Sequence, residues 1–342
     1  MLTLDGSHGE GGGQVVRSSL ALSAATGTPF RIANIRAGRN KPGILRQHLT
    51  ALRAAAAVTG ADVTGDELGS SEFTFVPGPI RAGDYAFGVG SAGSTMLVLQ
   101  TVLTSLLLAD GPSTIQLKGG THNPSAPTFD FIARSFLPQI AALGGRVESK
   151  LVRPGYFPAG GGEVVFQIEP ANKPGELLLL ERGAKLEHSG RVDVSNLPTR
   201  IAEEERTGAI RKIGWLPEQV ECRQIKGSSG PGNVVSLTLR YENVTEIVTA
   251  FGIKGVRAKS VGARAGGLAR DYMKLTAPVG RHLADQLLLP LALLGGGSMR
   301  ATELSRHTRT NADVLSWFLG DVVQFTDLGP EGHRIDVAAR AT

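Results

Sequence analysis

Cysteine is almost absent. Cys222 stands alone in 342 residues, which excludes an internal disulfide and any cysteine-based zinc cluster. Seven histidines are present, none spaced HxxxH, which excludes the usual helical zinc pair. No apolar run is long enough to cross a bilayer. The longest, 96–109, is interrupted by Gln100 and threonines and reads as a buried helix, with no membrane partner. The opening MLTLDGSHGEGGG lacks the basic and apolar regions of a secretory leader. Together these absences predict a cytoplasmic protein in a reducing compartment. Aromatics make up only 5% of the chain while glycine reaches 45 residues, so much of the backbone is committed to tight turns.

The absence that says most about function is local. Between residues 11 and 61 there is no Asp or Glu, yet Arg17, Arg31, Arg36, Arg39, Lys41, Arg46 and Arg53 all lie there. The formal net charge is +5, so this stretch carries +7 and the remainder −2. Such asymmetry suits a surface that holds anions, above all phosphates. The densest part is IRAGRNKPGILRQH, residues 35–48. Glycine and proline make it a loop, and Arg36, Arg39, Lys41, Arg46, Gln47 and His48 supply donors.

Apolar helical stretches end repeatedly at glycine: Gly27, Gly60, Gly111, Gly144, Gly295 and Gly320. The first two ends are 33 residues apart, as are the next two; the last two are 25 apart. Strand-like runs follow several of them, at 30–35, 113–117, 146–151 and 299–304. The pattern predicts an α+β protein whose large domain holds three repeated two-helix/β-sheet units, over 1–181 and 277–342. The intervening 182–276 reads as a smaller inserted α+β domain. Its strands are expected at 191–194, 220–225, 234–241 and 245–251, with helices at 199–213 and 260–275. Its loop GSSGPGN, 227–233, reads as a flexible turn.

Three glycine-rich loops precede helices. DGSHGEGGGQ, 5–14, has neither P-loop nor dinucleotide-fingerprint spacing, but it lets backbone approach an anion closely. Gln14 and Arg17 share the following helix face. Glu10 is the only carboxylate between Asp5 and Asp62, and it reads either as a divalent-cation contact or as a helix cap. GSAGS, 90–94, and GGTHNPSAP, 119–127, repeat the loop-before-helix style; each alone is ordinary turn chemistry, and three together suggest one crevice. His307 follows a strand and precedes a helix expected to begin near Asn311, capped by Thr310 or Asn311. An imidazole with an ordinary pKa of about 6.5 is mostly neutral near pH 7 and can attack phosphorus. Arg306 and Arg309 beside it would stabilise an anionic product. HLADQ, His282–Gln286, opens a long apolar helix that Pro290 is expected to kink or break; Asp285 and Gln286 also read as helix caps.

With these blocks assembled, the chain resembles the RNA 3′-terminal phosphate cyclases almost end to end. The resemblance rests on DGSHGEGGGQ with Arg17, IRAGRNKPGILRQH, GSAGS with Gln100, GGTHNPSAP, RPGYFPAGGGE at 153–163, HLADQ and His307. It implies three repeated units plus an insert. It implies an ATP-dependent ligase-class reaction through histidyl-AMP and RNA-adenylate intermediates. That reaction converts an RNA 3′-phosphate end to a 2′,3′-cyclic phosphate and releases pyrophosphate and AMP. By the same resemblance His307 is the nucleophile. The resemblance implies that Gln100, Pro124, His282, Leu283, Ala284, Asp285 and Gln286 bind ATP. Gln14, Arg17, Arg36, Arg39, Gln47 and His48 hold phosphates of ATP or of the RNA end. Glu10 contacts a divalent cation, Mg2+ or Mn2+. The chain departs from the family at His282, where an aromatic residue, commonly Tyr, is usual, and in the more basic surroundings LSRHTRTN of His307. Two other readings stand beside this one: a non-catalytic RNA- or ribosome-assembly-binding relative of the same fold, and an enolpyruvyl transferase-like enzyme with a similar repeated style.

Overall fold

The computed structural model describes residues 1–172 and 174–340. The chain begins with β1 (Leu2–Asp5), α1 (Gly13–Thr26), β2 (Phe30–Ala33), α2 (Arg46–Thr59), β3 (Asp62–Thr64) and β4 (Phe73–Val76). It continues with β5 (Asp84–Gly88), α3 (Thr95–Leu107), β6 (Ser113–Gly119) and a helix in three parts. These parts are α4 (Phe129–Phe131), a wide π turn (Ile132–Phe136) and α5 (Leu137–Ala142), and β7 (Arg146–Arg153) and β8 (Gly162–Glu169) follow. After β9 (Leu177–Leu179) come β10 (Lys185–Ser195), α6 (Thr199–Ile213), β11 (Val220–Gln224), β12 (Gly232–Tyr241), β13 (Thr245–Phe251) and α7 (Ala258–Lys274). The last elements are α8 (Arg281–Leu293), β14 (Gly297–Ala301), α9 (Arg306–Leu319), β15 (Val323–Asp327) and β16 (His333–Val337). The architecture is α+β.

Among the described residues the strands form four four-stranded sheets, ordered β1-β2-β4-β3, β5-β6-β8-β7, β9-β14-β16-β15 and β11-β10-β12-β13. In the first three the leading pair is parallel and the other two pairs are antiparallel. A parallel pair needs a crossover. In the first two sheets one helix makes that crossover; in the third the chain runs through β10 to α7 before α8 returns it to β14, and in all three another helical segment follows the second strand. The helices α1 and α3 therefore leave the C-terminal ends of β1 and β5, while α8 follows α7; Gln14 and His282 lie in the first turns of α1 and α8, and Ser94 caps α3.

Burial alternates along strands such as β6 and β8, as half-buried sheets require. One core cluster joins the helices of the first three sheets, with Phe30, Phe73 and Phe75 inaccessible at its centre. Each such ring contributes about 1.5–3 kcal/mol by leaving water. A second cluster, including Val192, Val235, Leu237 and Tyr272, lies between the fourth sheet and α6 and α7. Those two helices approach closely because Gly208 and Gly262 face backbone carbonyls of Lys259 and Glu205.

Several helix ends lie where glycine marked them. Gly27 and Gly60 have φ of 71° and 60° and cap α1 and α2. Others moved. α3 stops at Leu107 with Leu108 as cap, short of Gly111, and α8 is capped by Leu294 and not Gly295. Pro290 does not end α8, since the Leu294 N–H bonds the Pro290 carbonyl at 2.9 Å and the helix closes around it. Among the described residues no helix is long and apolar enough to cross a membrane.

Candidate active site

His307 does not sit in a loop before its helix. α9 starts at Arg306, with Ser305 as N-cap accepting from the Thr308 N–H at 3.0 Å, so His307 is the second residue of the first turn. Thr308, Thr310 and Asn311 are buried against α1 and α8, and that burial extends the helix five residues back from the expected start. The positive end of the α9 dipole thus lies at the histidine.

The ring is held by α1. The His307 Nδ1–H donates to Gln14 Oε1, while Gln14 Nε2 donates to Asp285 Oδ1 at 2.6 Å and to the His307 carbonyl at 3.3 Å. An amide oxygen only accepts, so this bond holds a proton on Nδ1, and in the neutral ring it leaves the lone pair on Nε2. The His307 side chain is 53% exposed. In the neutral ring, an exposed Nε2 lone pair is available to attack an electrophile.

Asp285 anchors this arrangement from α8. Burial raises its pKa, opposed by the Gln14 hydrogen bond and by neighbouring His307 and Arg17. Asn311 Nδ2 donates to the Asp285 carbonyl at 3.0 Å, and Ser18 donates to Asn311 at 2.7 Å. Arg17, one turn along α1, has its pKa lowered by burial to about 10, offset by Asp285 and Glu10, so it stays charged at neutral pH. His48 is buried, and burial with the Arg17 and Arg36 charges pushes its pKa down to about 3. Its Nδ1 accepts from the Leu45 N–H at 3.2 Å, which places the proton on Nε2, facing Gly13. Gly13 is required here, because a Cβ would collide with the His48 and Arg17 side chains.

The first glycine loop closes the site. Arg39 pairs with the Glu10 carboxylate and donates to the Glu10 carbonyl at 2.8 Å and the Gly11 carbonyl at 3.3 Å. Glu10 Oε1 lies 4.0 Å from His307 Nδ1, and the Glu10 N–H donates to Thr310 Oγ1 at 3.1 Å. Arg306 donates to the Gly9 carbonyl at 2.8 Å, and Arg309 turns away to stack over Phe325. Arg36 is committed to its own loop, donating to the Lys41 and Gly43 carbonyls. Between α1, α3, α8 and α9 lies a cavity of about 50 Å³ lined by Gln14, Arg17, Gln100, Asp285, Gln286 and Asn311. Gln100 Nε2 is buried there without a partner. Ordinary ligand sites measure about 300–1,000 Å³, so a nucleotide fits only with side-chain movement or across the mouth.

A family model described as RTC, RNA 3′-terminal phosphate cyclase, matches residues 8–325. A protein from Koribacter versatilis named RNA 3′-terminal phosphate cyclase is 47% identical over 319 residues, 93% of this chain and 90% of its own. Proteins of that name from Salmonella paratyphi C and Ralstonia nicotianae are 46% and 48% identical over 93% of this chain and 92% and 91% of theirs. The chain belongs to the RNA 3′-terminal phosphate cyclase family. It is an enzyme of that family, which removes the reading as a non-catalytic binding protein. A solved structure, that of the enolpyruvyl transferase NikO from Streptomyces tendae, is 16% identical, covers 48% of this chain and 33% of that one, and gives a TM-score of 0.25.

The other family blocks sit next to this cluster. Gln47 Oε1 accepts from the Ser94 N–H at 3.1 Å, joining IRAGRNKPGILRQH to GSAGS. Asn123 Nδ2 donates to the Ala92 carbonyl at 2.6 Å, joining GSAGS to GGTHNPSAP. Gly160 packs on Ala92, and the Gly155 N–H donates to Thr121 Oγ1 at 3.0 Å, adding RPGYFPAGGGE. The expected nucleotide residues separate. Gln100, Asp285 and Gln286 line the cavity; Leu283 and Ala284 are fully buried in the apolar core; His282 and Pro124 are exposed and do not line the cavity.

Some of the site escapes sequence reading. Asn311 was visible as a candidate cap, but its structural part is to hold Asp285. A buried ion network joins the GGTHNPSAP loop to the fourth sheet. His122 and Arg191 approach Asp130 at 3.2 and 2.6 Å, and Arg191 and Arg223 each reach Asp193 at 2.8 Å. Burial works to raise the Asp130 pKa, but His122 and Arg191 hold it well below the usual carboxylate range. The loop 227–233 is not a free turn. Gly232 packs on the Tyr156 ring, Gly230 on Ala159 and Ser229 on Gly161. Among the described residues no cluster of three or more His, Cys, Asp or Glu side chains is arranged to hold a metal.

Proposed function

We propose that this chain converts the 3′-phosphate end of RNA to a 2′,3′-cyclic phosphate at the expense of ATP. The observation that carries the reading is His307, with Nδ1–H tied to Gln14 and Nε2 free at the start of α9. In the first step Nε2 attacks the α-phosphorus of ATP, an N–P bond forms, and pyrophosphate leaves. The imidazole becomes cationic as that bond forms. Gln14 Oε1 and the Glu10 carboxylate, 4.0 Å from Nδ1, stabilise that charge. In the second step an oxygen of the RNA 3′-phosphate attacks the AMP phosphorus, the N–P bond breaks, and His307 regains its lone pair. In the third the ribose 2′-OH attacks the adjacent 3′-phosphorus, loses its proton, and AMP leaves. A terminal phosphate monoester has no good leaving group until AMP supplies one, and the 2′-OH is already beside the phosphorus.

Arg39, Arg17 and the N-terminus of α9 supply the positive field for the phosphates. Gln100, Asp285 and Gln286 line the base or ribose end of the ATP site, and Gln47 and His48 face the RNA end. Pro124, His282, Leu283, Ala284 and Arg36 contribute through backbone or after rearrangement. The donor set fits a divalent cation, Mg2+ or Mn2+, in one way. A single carboxylate, Glu10, suits a cation bound mainly through phosphate oxygens and water. When bound, the cation neutralises triphosphate charge. We also read the three sheets of like order as a threefold repeat, interrupted by the unit spanning 182–276, and place the reaction in the cytoplasm.

The test is an RNA carrying a labelled 3′-phosphate. The expected result is that the label becomes resistant to phosphatase only with protein and ATP. Phosphatase sensitivity throughout would refute the proposal.

A further inference from the structure

Eighteen aromatic residues occur in the chain, and a chain folding in water has reason to cover every one of them. Among the described residues only one is exposed. Phe157, in the middle of RPGYFPAGGGE, is 64% exposed. Its neighbour Tyr156 is 3% exposed and packs beside His122, so the loop is anchored and Phe157 is presented on a fixed base.

Three loops meet beside the turn that carries it. Loop 153–161 packs on loop 226–233 through the contacts of Gly232, Gly230 and Ser229, and the Gly252 N–H bonds the Asn233 carbonyl at 3.2 Å, which brings in 252–259. These segments carry Arg153, Lys226, Lys254, Arg257 and Lys259 and no Asp or Glu. Arg153 holds its own loop by donating to the Gly161 carbonyl at 2.7 Å. The surface adjoins the candidate active site, because Gly160 rests on Ala92, and the neighbouring Ser94 is bonded to Gln47.

An exposed aromatic ring on an anchored turn, in loops that carry cations and no acid of their own, matches the platform on which proteins stack bases of single-stranded nucleic acid. We propose that this surface binds the single-stranded RNA segment lying 5′ of the reacting end, with one base stacked on Phe157 and backbone phosphates facing Lys226, Lys254 and Arg257. The proposal rests on the cyclase reading for the identity of the nucleic acid. It adds a docking site outside the nucleotide pocket and gives the unit 182–276 a part in substrate recognition. It requires that longer RNA ends bind more tightly than the terminal nucleotide alone.

The test uses the full-length protein and fluorescent single-stranded RNA ten-mers with 3′-phosphate ends, read by anisotropy. Phe157→Ala is expected to weaken binding by between about fivefold and a hundredfold, the range for losing one stacked base. Phe157→Trp should restore it. 2-Aminopurine placed singly along the ten-mer should be quenched at one position in the wild type and released in Phe157→Ala. The double variant Lys254→Ala/Arg257→Ala should reduce the slope of log affinity against log salt by about 1.4, or about 0.7 for each phosphate no longer neutralised. Circular dichroism checks the fold of each variant. Unchanged binding by Phe157→Ala, or no RNA binding by the wild type, overturns the proposal. Transfer of label from ATP to the wild-type protein is followed in parallel. Label transfer without an effect of Phe157 removes this docking site alone; its absence removes the nucleotidyl-transfer reading, whatever the RNA binding shows.

Discussion

Replacing Gln14 with methionine keeps the length and volume of the side chain and removes both ends of its amide. The buried bond to Asp285, at 2.6 Å, goes to a carboxylate and is worth about 1.5–3 kcal/mol. The bond from half-exposed His307 adds about 0.5–1.5 kcal/mol. Gln286 Nε2, 3.3 Å from the other Asp285 oxygen, returns part of the loss. The unfolding free energy should therefore fall by about 2–4 kcal/mol, read as a lower urea midpoint with unchanged slope. The effect on chemistry is separate. Without the amide oxygen nothing fixes the His307 ring or keeps its proton on Nδ1. A misplacement of about 1 Å can cost about a hundredfold. Single-turnover attachment of AMP from labelled ATP, measured where both proteins are folded, should slow by about ten- to a hundredfold. A Gln14→Met protein that takes up AMP within twofold of the wild-type rate would refute the assignment of ring orientation to Gln14.

Two other outcomes follow from the same geometry. Burial raises the Glu246 pKa to about 7, against the Gly280 N–H and the Arg182 charge. The unfolded carboxyl ionises near 4.5, so between about pH 4.5 and 7 the native state binds more protons and stability falls as pH rises. Glu246→Gln should be more stable than wild type by about 3 kcal/mol at pH 8 and equal near pH 4. Because Glu205 is likewise raised to about 7, the slope should halve and not vanish; identical urea midpoints against pH would contradict this. Arg39 is 43% exposed, so Arg39→Ala should lower stability by less than about 1 kcal/mol while raising KM for ATP by about tenfold. Unaltered ATP kinetics would take Arg39 out of phosphate binding.

The residues that sequence reading located are those whose chemistry is local. The acid-free basic stretch, the glycine loops and the helices that end at Gly27 and Gly60 are visible because turn geometry and charge act over a few residues. The helix 199–213 and the strand 245–251 appear at those bounds because each has its own periodicity. What failed was decided at long range. In LSRHTRTN the local signal points to Thr310 or Asn311 as the cap, and burial against α1 and α8 moves it back to Ser305. The pairing of Gln14 with His307 spans 293 residues, and no spacing rule reports it. Glycine carries two meanings that composition cannot separate. In GSSGPGN it serves close packing on Tyr156 and Ala159, not looseness. At Gly111 and Gly295 it follows a helix that other residues have already ended.

The most direct test of the central claim is to incubate the protein with a divalent cation and ATP labelled at the α-phosphate, then denature it and map the label. The account predicts one AMP joined through Nε2 of His307, none on His307→Ala, and discharge of the wild-type label as free AMP when 3′-phosphorylated RNA is added and its end becomes cyclic. Label attached with equal yield to His307→Ala, or RNA cyclised without passage of label through the protein, would contradict it.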